Sequence, residues 1–332
     1  MKKVLAVLLS SVVGLSFFTA CKQSPKDTSG EENVYKIGVV QLVEHPSLDM
    51  AYKGFVDGLK ELGYEDGKQI QIDYQNAQGE QANCVTIADK LVNDKNDLIL
   101  AIATPAAQAV ANKTTEIPLL VTAVTDPADA KLVKDNKNPQ TNVSGTSDMT
   151  PVANEIELLS QTAPEAKKIA MLYCSSEANS KLQVDIAKEA CAEKGIETVD
   201  ATVSNTNEVQ QVVQSLVGKV DAIYVPTDNM IVSSMVTVTM VAHDAGIPVI
   251  VSEESSVKNG ALAAHSLSYY NLGKQTAQMA VKILKDGADP AEMPIEYLEN
   301  TDLFINEDAA AALNIEIPQE LLDAATIVKT EK

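Results

Sequence analysis

The sequence predicts an α/β fold made of two doubly wound parallel-sheet domains, Rossmann-like, joined by a hinge with several crossings. Three observations predict it. Short apolar runs rich in β-branched residues alternate with segments of helical periodicity along the whole body. The alternation restarts near Lys168. Landmarks recur across the restart: Lys36-Ile37 against Lys168-Ile169, Asp97-Leu98-Ile99 against Asp221-Ala222-Ile223, and Ile117-Pro118-Leu119 against Ile247-Pro248-Val249, at separations of 132, 124 and 130 residues.

In the first half, Ile37 to Leu42 reads as a buried strand. Tyr52, Phe55, Leu59 and Leu62 then fall at helical spacing, and Gly63 ends that helix. Ile70 to Tyr74 alternates as a strand, and Val85, Ala88 and Leu91 share one helix face. Leu98 to Ala103 is a strand, Pro105 to Asn112 a helix and Leu119 to Val124 a strand. This order implies a parallel sheet covered by helices on both faces.

The second half repeats it. Strands are expected over Ile169 to Cys174, Thr198 to Val203, Asp221 to Val225 and Ile247 to Val251. Helices are expected over Ala178 to Lys194, Val209 to Leu216 and Ser233 to Ala245. Two regions are expected to cross between domains. One is the polar stretch Asn142 to Asp148, leading into a helix over Pro151 to Thr162; the other is the extended run Ala261 to Ser268, before a long helix near Leu272 to Leu284. A last strand near Ile295 to Ile305 and short helices follow. The expected lobes are residues 35–145 with 265–298, and 146–264 with 299–332, with a ligand cleft between them.

The first residues read as an address. Lys2 and Lys3 precede an apolar run from Val4 to Ala20, a signal peptide over residues 1–20. Phe18-Thr19-Ala20-Cys21 resembles a bacterial lipobox, with Phe18 where Leu is preferred. Cleavage before Cys21 and lipid on its thiol would anchor the chain to the outer face of the cytoplasmic membrane, at the cell surface. Residues 21–34 read as a flexible polar tether.

Composition removes several classes. The 332 residues suit two domains, and a net charge of −20 argues against a nucleic-acid partner. All 26 basic residues are Lys, so no bidentate Arg clamp exists. There is no Trp, which counts mildly against a sugar ligand. Cys84, Cys174 and Cys191 are too few and too scattered for a disulfide framework and read as buried apolar residues.

In doubly wound sheets, ligands sit outside the carboxyl ends of the strands. Those ends carry Gln41 to Asp49, Thr104-Pro105-Ala106, Thr125-Asp126, Ser175-Ser176 with Asn179, Thr227-Asp228-Asn229 and Glu253. Such residues cap helices and make turns. As a set facing one cleft they also suit a polar small molecule, and an amino acid fits well. Without Arg, its carboxylate would rest on helix N-termini and on hydroxyls of Thr104, Ser175 or Ser176. Its ammonium would need Asp126, Asp228 or Glu253, and its side chain would lie against Leu42, His45, Pro46 and Leu48.

Residues 121–127 (Val-Thr-Ala-Val-Thr-Asp-Pro), 103–108 (Ala-Thr-Pro-Ala-Ala-Gln), 143–148 (Val-Ser-Gly-Thr-Ser-Asp) and 224–229 (Tyr-Val-Pro-Thr-Asp-Asn) resemble the ABC transporter substrate-binding lipoproteins of the tryptophan/tyrosine-uptake type. The resemblance runs over roughly residues 35 to 305. It implies a type I periplasmic-binding fold and a monomeric receptor that closes on an aromatic amino acid. It further implies delivery to a permease driven by an ATPase. The family's pocket loops map onto Gln41 to Leu48, Thr104 to Ala106, Thr125-Asp126, Ser175-Ser176 and Thr227 to Asn229. Related proteins take branched-chain amino acids or other small solutes, nucleosides among them.

An enzyme is the contrasting class. H-E-x-x-H, G-x-S-x-G, Walker A and G-x-G-x-x-G motifs are all missing. Of three His, His243 and His265 read as structural, and His45 is placed to touch ligand. No catalytic residue, cofactor or metal site is expected. A surface lipoprotein could also carry a secondary role in adhesion.

Overall fold

Two sheets organise the chain in the computed structural model, which describes residues 34–331. The expected signal peptide, lipidated Cys21 and tether up to Asn33 lie outside the described residues. The first stretch runs β1 (Tyr35–Gln41), α1 (Pro46–Glu61), β2 (Ile70–Asn76), α2 (Gln81–Asn93), β3 (Leu98–Ile102), α3 (Thr104–Ala111), β4 (Leu119–Thr122) and β5 (Val143–Ser147). Next come α4 (Val152–Thr162), β6 (Lys168–Cys174), α5 (Ala178–Glu193), β7 (Glu197–Val203), α6 (Val209–Leu216), β8 (Ala222–Val225), α7 (Asn229–Val232), α8 (Met235–Asp244), β9 (Val249–Val251), α9 (Glu254–Lys258) and β10 (Ala263–Ser266). The chain ends with α10 (Tyr269–Asp286), β11 (Glu296–Tyr297), β12 (Asp302–Asn306), α11 (Glu307–Leu313), α12 (Gln319–Ala324) and β13 (Thr326–Val328).

The first sheet has the order β11-β5-β4-β3-β1-β2 and the second β13-β12-β10-β9-β8-β6-β7. Pairing is parallel except between β10 and β12. Sheet membership therefore changes three times: between β5 and α4, between β10 and α10, and between β11 and β12. Strand β3 shows why the apolar runs form these sheets: all five of its residues are buried, as a strand covered on both faces requires.

Helix α10 packs along α1, and glycine permits it. A Cβ on Gly54 would stand 2.0 Å from the Tyr270 carbonyl oxygen, and one on Gly273 2.0 Å from that of Ala51. Reciprocal close approach of two backbones leaves no room for side chains there.

Several expectations are corrected. Asn142 to Asp148 is not simply a polar crossing, because Val143–Ser147 forms β5, fully buried beside β4. Its hydroxyls are satisfied inside the core: Ser144 Oγ donates to the Met293 carbonyl at 2.8 Å, and Thr146 Oγ1 lies 2.8 Å from Thr276 Oγ1. The strand expected over Ile295 to Ile305 is two strands in different sheets, β11 and β12. Leu62 and Val85, placed by their spacing with Leu59 and with Ala88 and Leu91, are exposed while those partners are buried. Leu62 follows the last turn of α1, beyond the reach of the core. Cys84, Cys174 and Cys191 are buried free thiols, as expected. Among the described residues no helix is long and apolar enough to cross a membrane.

Candidate functional site

The carboxyl ends of β1, β3, β4, β6 and β8 place polar residues from both sheets against one another. Thr125 Oγ1, after β4, lies 3.2 Å from Thr227 Oγ1, after β8. His45 Nε2, at the start of α1, lies 3.4 Å from Asn229 Oδ1. Ser47 Oγ donates to Glu253 Oε2 at 2.5 Å and lies 2.8 Å from Ser255 Oγ. Helices α3 and α5 are also in contact.

Gln41 ends β1 fully buried, its Nε2 donating to the Val43 carbonyl at 2.9 Å and to Asp49 Oδ1 at 2.7 Å. Burial lowers His45 to about 4, so its imidazole is neutral near pH 7. Asn229 Nδ2 is committed to Glu177 Oε2 at 2.5 Å. Its Oδ1 therefore faces His45, which puts the imidazole proton on Nε2 and leaves Nδ1 as an acceptor. Leu48 packs in the core behind them.

Thr104, Pro105 and Ala106 form the buried first turn of α3. No side chain caps this helix, and Pro105 has no N–H, so the first-turn N–H groups of Thr104 and Ala106 have no partner within the helix. Ala103 before them has φ 81° and ψ 151°, and Ala123 after β4 has φ 54°. Both are strained conformations for a residue with a Cβ, at two adjacent strand ends.

Buried carboxyls surround the site. Burial pushes Glu253 up to about 8 and Asp148 up to about 6. Tyr269 OH donates to Asp148 Oδ2 at 3.0 Å. Burial and then the Asp228 carboxylate hold Glu177 above the usual range. The buried polar atoms without a hydrogen-bond partner among the described residues include Gln41 Oε1, His45 Nδ1, Thr104 Oγ1, Asp148 Oδ1 and Asn179 Oδ1. Unsatisfied buried groups are costly, and four acceptors with one hydroxyl match a small molecule carrying N–H donors and an acid group.

Other expected residues are placed differently. Asp126 is half-buried, and its Oδ1 accepts from the N–H of Ala128 and Asp129 and from Asn136 Nδ2, at 2.9, 3.1 and 2.9 Å. Asp228 is fully buried: Oδ2 accepts from the Cys174 N–H at 2.6 Å and Ser180 Oγ at 2.7 Å, and Oδ1 from the Ile231 N–H at 2.9 Å. Both carboxylates brace loops. Ser175 and Ser176 are exposed and bond locally, to the Val203 carbonyl and beside Cys174 Sγ. Asn179 Nδ2 donates to the Thr227 carbonyl at 2.8 Å.

Sequence reasoning did not single out Ser47, Asp148, Glu177 or Tyr269. Glu177 and Ser47 stand inside the strand-end loops, and Asp148 closes the 143–148 motif, so position alone pointed to them. Among the described residues no group of three or more His, Cys, Asp or Glu side chains is arranged to hold a metal.

Comparison with known proteins then bears on this geometry. A family described as ABC transporter substrate binding protein matches residues 36–329. The chain is 45% identical over 322 residues to a protein of Clostridioides difficile (strain R20291) named tyrosine-binding protein, covering 95% of this chain and 93% of that one. A solved domain from Streptococcus pneumonia in complex with L-Trp is similar at 41% identity and TM-score 0.86, over 89% of this chain and 99% of that one. A ligand-free, open substrate binding protein with adhesive properties from Clostridium difficile is 48% identical over 90% of this chain and all of that one (100%), yet its TM-score is 0.68.

Proposed function

The chain belongs to the ABC transporter substrate binding protein family, and from that premise we propose that it captures an aromatic amino acid, tyrosine or tryptophan, between its two lobes. The lobes assigned are residues 35–145 with 265–298, and 146–264 with 299–332, closing about the three crossings. Lipid on Cys21 would hold the receptor outside the cytoplasmic membrane, beside a permease and ATPase, as a monomer. Binding and release, not catalysis, is the activity this reading gives it.

The observation that carries the reading is the buried set of unpartnered polar atoms contributed by both lobes. A zwitterion complements it. The carboxylate would take the first turn of α3 with the Thr104 hydroxyl. The ammonium would take Glu253, which Ser47 orients, since the two other candidate carboxylates, Asp126 and Asp228, are spent on loops or the core. The names of the relatives, one for tyrosine and one with L-Trp, support an aromatic side chain. The lower likeness to the relative described as ligand-free and open supports a closed arrangement here.

A thermal-shift screen of the full chain against the twenty amino acids, nucleosides and simple sugars tests this. A thousandfold excess of the right ligand over its dissociation constant should stabilise by about 4 kcal/mol. A shift with tyrosine, tryptophan or phenylalanine supports the reading, whereas a shift only with a branched-chain amino acid, nucleoside or sugar replaces the ligand. The description of one relative as adhesive favours a second role in attachment. Restored attachment of a deletion strain by a variant unable to bind ligand would separate that role from uptake.

A further inference from the structure

We propose that Met230 is a closure latch: its thioether seats on Gly79 of the opposite lobe and sets ligand affinity from outside the binding groups. Gly79 lies in the loop between β2 and α2, and Met230 in the first turn of α7. A Cβ at Gly79 would stand 3.4 Å from Met230 Cε, 3.5 Å from Sδ and 3.8 Å from Val43 Cγ2. Met230 is only 6% exposed.

Both halves of the seat are held firmly. The Gly79 N–H donates to the Leu42 carbonyl at 2.8 Å and the Ala77 N–H to that of Gln41 at 2.9 Å, which ties the loop to the end of β1. Gly79 has φ 78°, which a residue with a Cβ adopts only under strain. The Met230 N–H donates to Glu177 Oε1 at 3.2 Å, and Asp228 caps the same turn. A flexible, polarizable side chain thus meets a flat, rigid backbone patch, a pairing suited to repeated contact and release.

Position explains why this contact matters. Strand β2 is the edge of the first sheet farthest from β5 and β11, the strands at which two of the three crossings leave. A rotation about the crossings moves this edge most. The contact therefore forms only near full closure, and it favours the closed state without touching a charged group of the ligand. Apparent affinity scales with the population of the closed state, so loss of the seat weakens binding without altering the site.

The inference rests on the receptor reading above. Binding of L-tyrosine and L-tryptophan to the full chain, to Met230→Leu and to Met230→Ala is measured by calorimetry, with thermal midpoints taken without ligand. Met230→Ala should bind about tenfold more weakly and Met230→Leu within about twofold of the parent, with ligand-free midpoints unchanged. Equal affinity for Met230→Ala overturns the latch, and so does a fall in its ligand-free midpoint that matches the loss of affinity. If Met230→Ala does not fold, Val43→Ala, on the other side of the seat, must show the weakening instead. If the parent binds neither amino acid, the receptor reading fails on its own. The three proteins are then titrated with whichever solute shifts the melting of the parent in the thermal-shift screen, and equal affinity for Met230→Ala again overturns the latch.

Discussion

Ser47 Oγ donates to Glu253 Oε2 at 2.5 Å, although the two residues stand 206 positions apart and follow strands of different sheets. The bond joins the first turn of α1 to the end of β9. Glu253 is 3% exposed, and burial is the main reason its carboxyl is pushed up to about 8. The Ser47 hydroxyl opposes that rise, and Asp148 adds to it.

Glu253 gives the closed chain a pH dependence of known sign. Its folded value lies above its ordinary 4.5, so the folded state binds the extra proton. The contribution to stability is complete below about 4.5 and is lost as pH rises through about 8. A ligand ammonium would compensate the carboxylate and cancel that loss. Stabilisation by L-tyrosine should therefore grow between pH 5 and pH 8 in thermal-shift titrations. Glu253→Gln should flatten this trend and weaken binding by about 2 kcal/mol, roughly thirtyfold. A Gln variant with parental affinity would move the ammonium elsewhere.

Asp228 should behave as a structural residue. Its carboxyl accepts three hydrogen bonds that tie β6, α5 and α7 together. Removing it strands buried donors, each worth about 1–3 kcal/mol. Asp228→Ala should therefore lower the thermal midpoint of the ligand-free chain by several degrees. Asp126→Ala should loosen only the 126–136 turn, with a smaller drop and near-parental affinity. Calorimetry of both variants with and without ligand separates these outcomes.

The two aspartates also show what a sequence can carry. Each stands in a strand-end loop, and that placement was legible from the βα alternation. Which donors fill its oxygens depends on residues far away in the chain, such as the Cys174 N–H for Asp228, and no local pattern encodes that. Strand β3 was legible because its five residues are all apolar. Strand β5 was not, because Val-Ser-Gly-Thr-Ser is buried through hydroxyl bonds to Met293 and Thr276 rather than through apolar side chains. Ser175 and Ser176 were read as ligand groups from their place after a strand end and from the family resemblance, and in the structure their side chains are exposed at the turn into α5.

The Cys21 thiol has its own test. Cys21→Ala should release the chain from membranes while its affinity for L-tyrosine stays parental, because the binding groups all lie beyond Val34. Fractionation of the variant with membranes as before would refute lipid attachment at this residue.

Ala103, just before α3, sits in a conformation that alanine rarely adopts. Its φ of 81° with ψ 151° is a region that glycine occupies freely and alanine only at a cost of about 1–3 kcal/mol. The strain holds the uncapped first turn of α3 in the site, where Thr104 Oγ1 is buried without a partner. Ala103→Gly removes the strain and adds about 0.5–1 kcal/mol of backbone entropy to the unfolded chain. The relief exceeds the cost, so the ligand-free midpoint should rise slightly. Affinity should fall at the same time, because the loop no longer fixes the N–H groups that meet the ligand carboxylate. Opposite changes in midpoint and affinity would mark Ala103 as strain kept for binding. A parallel fall in both would show that this backbone is required for folding instead.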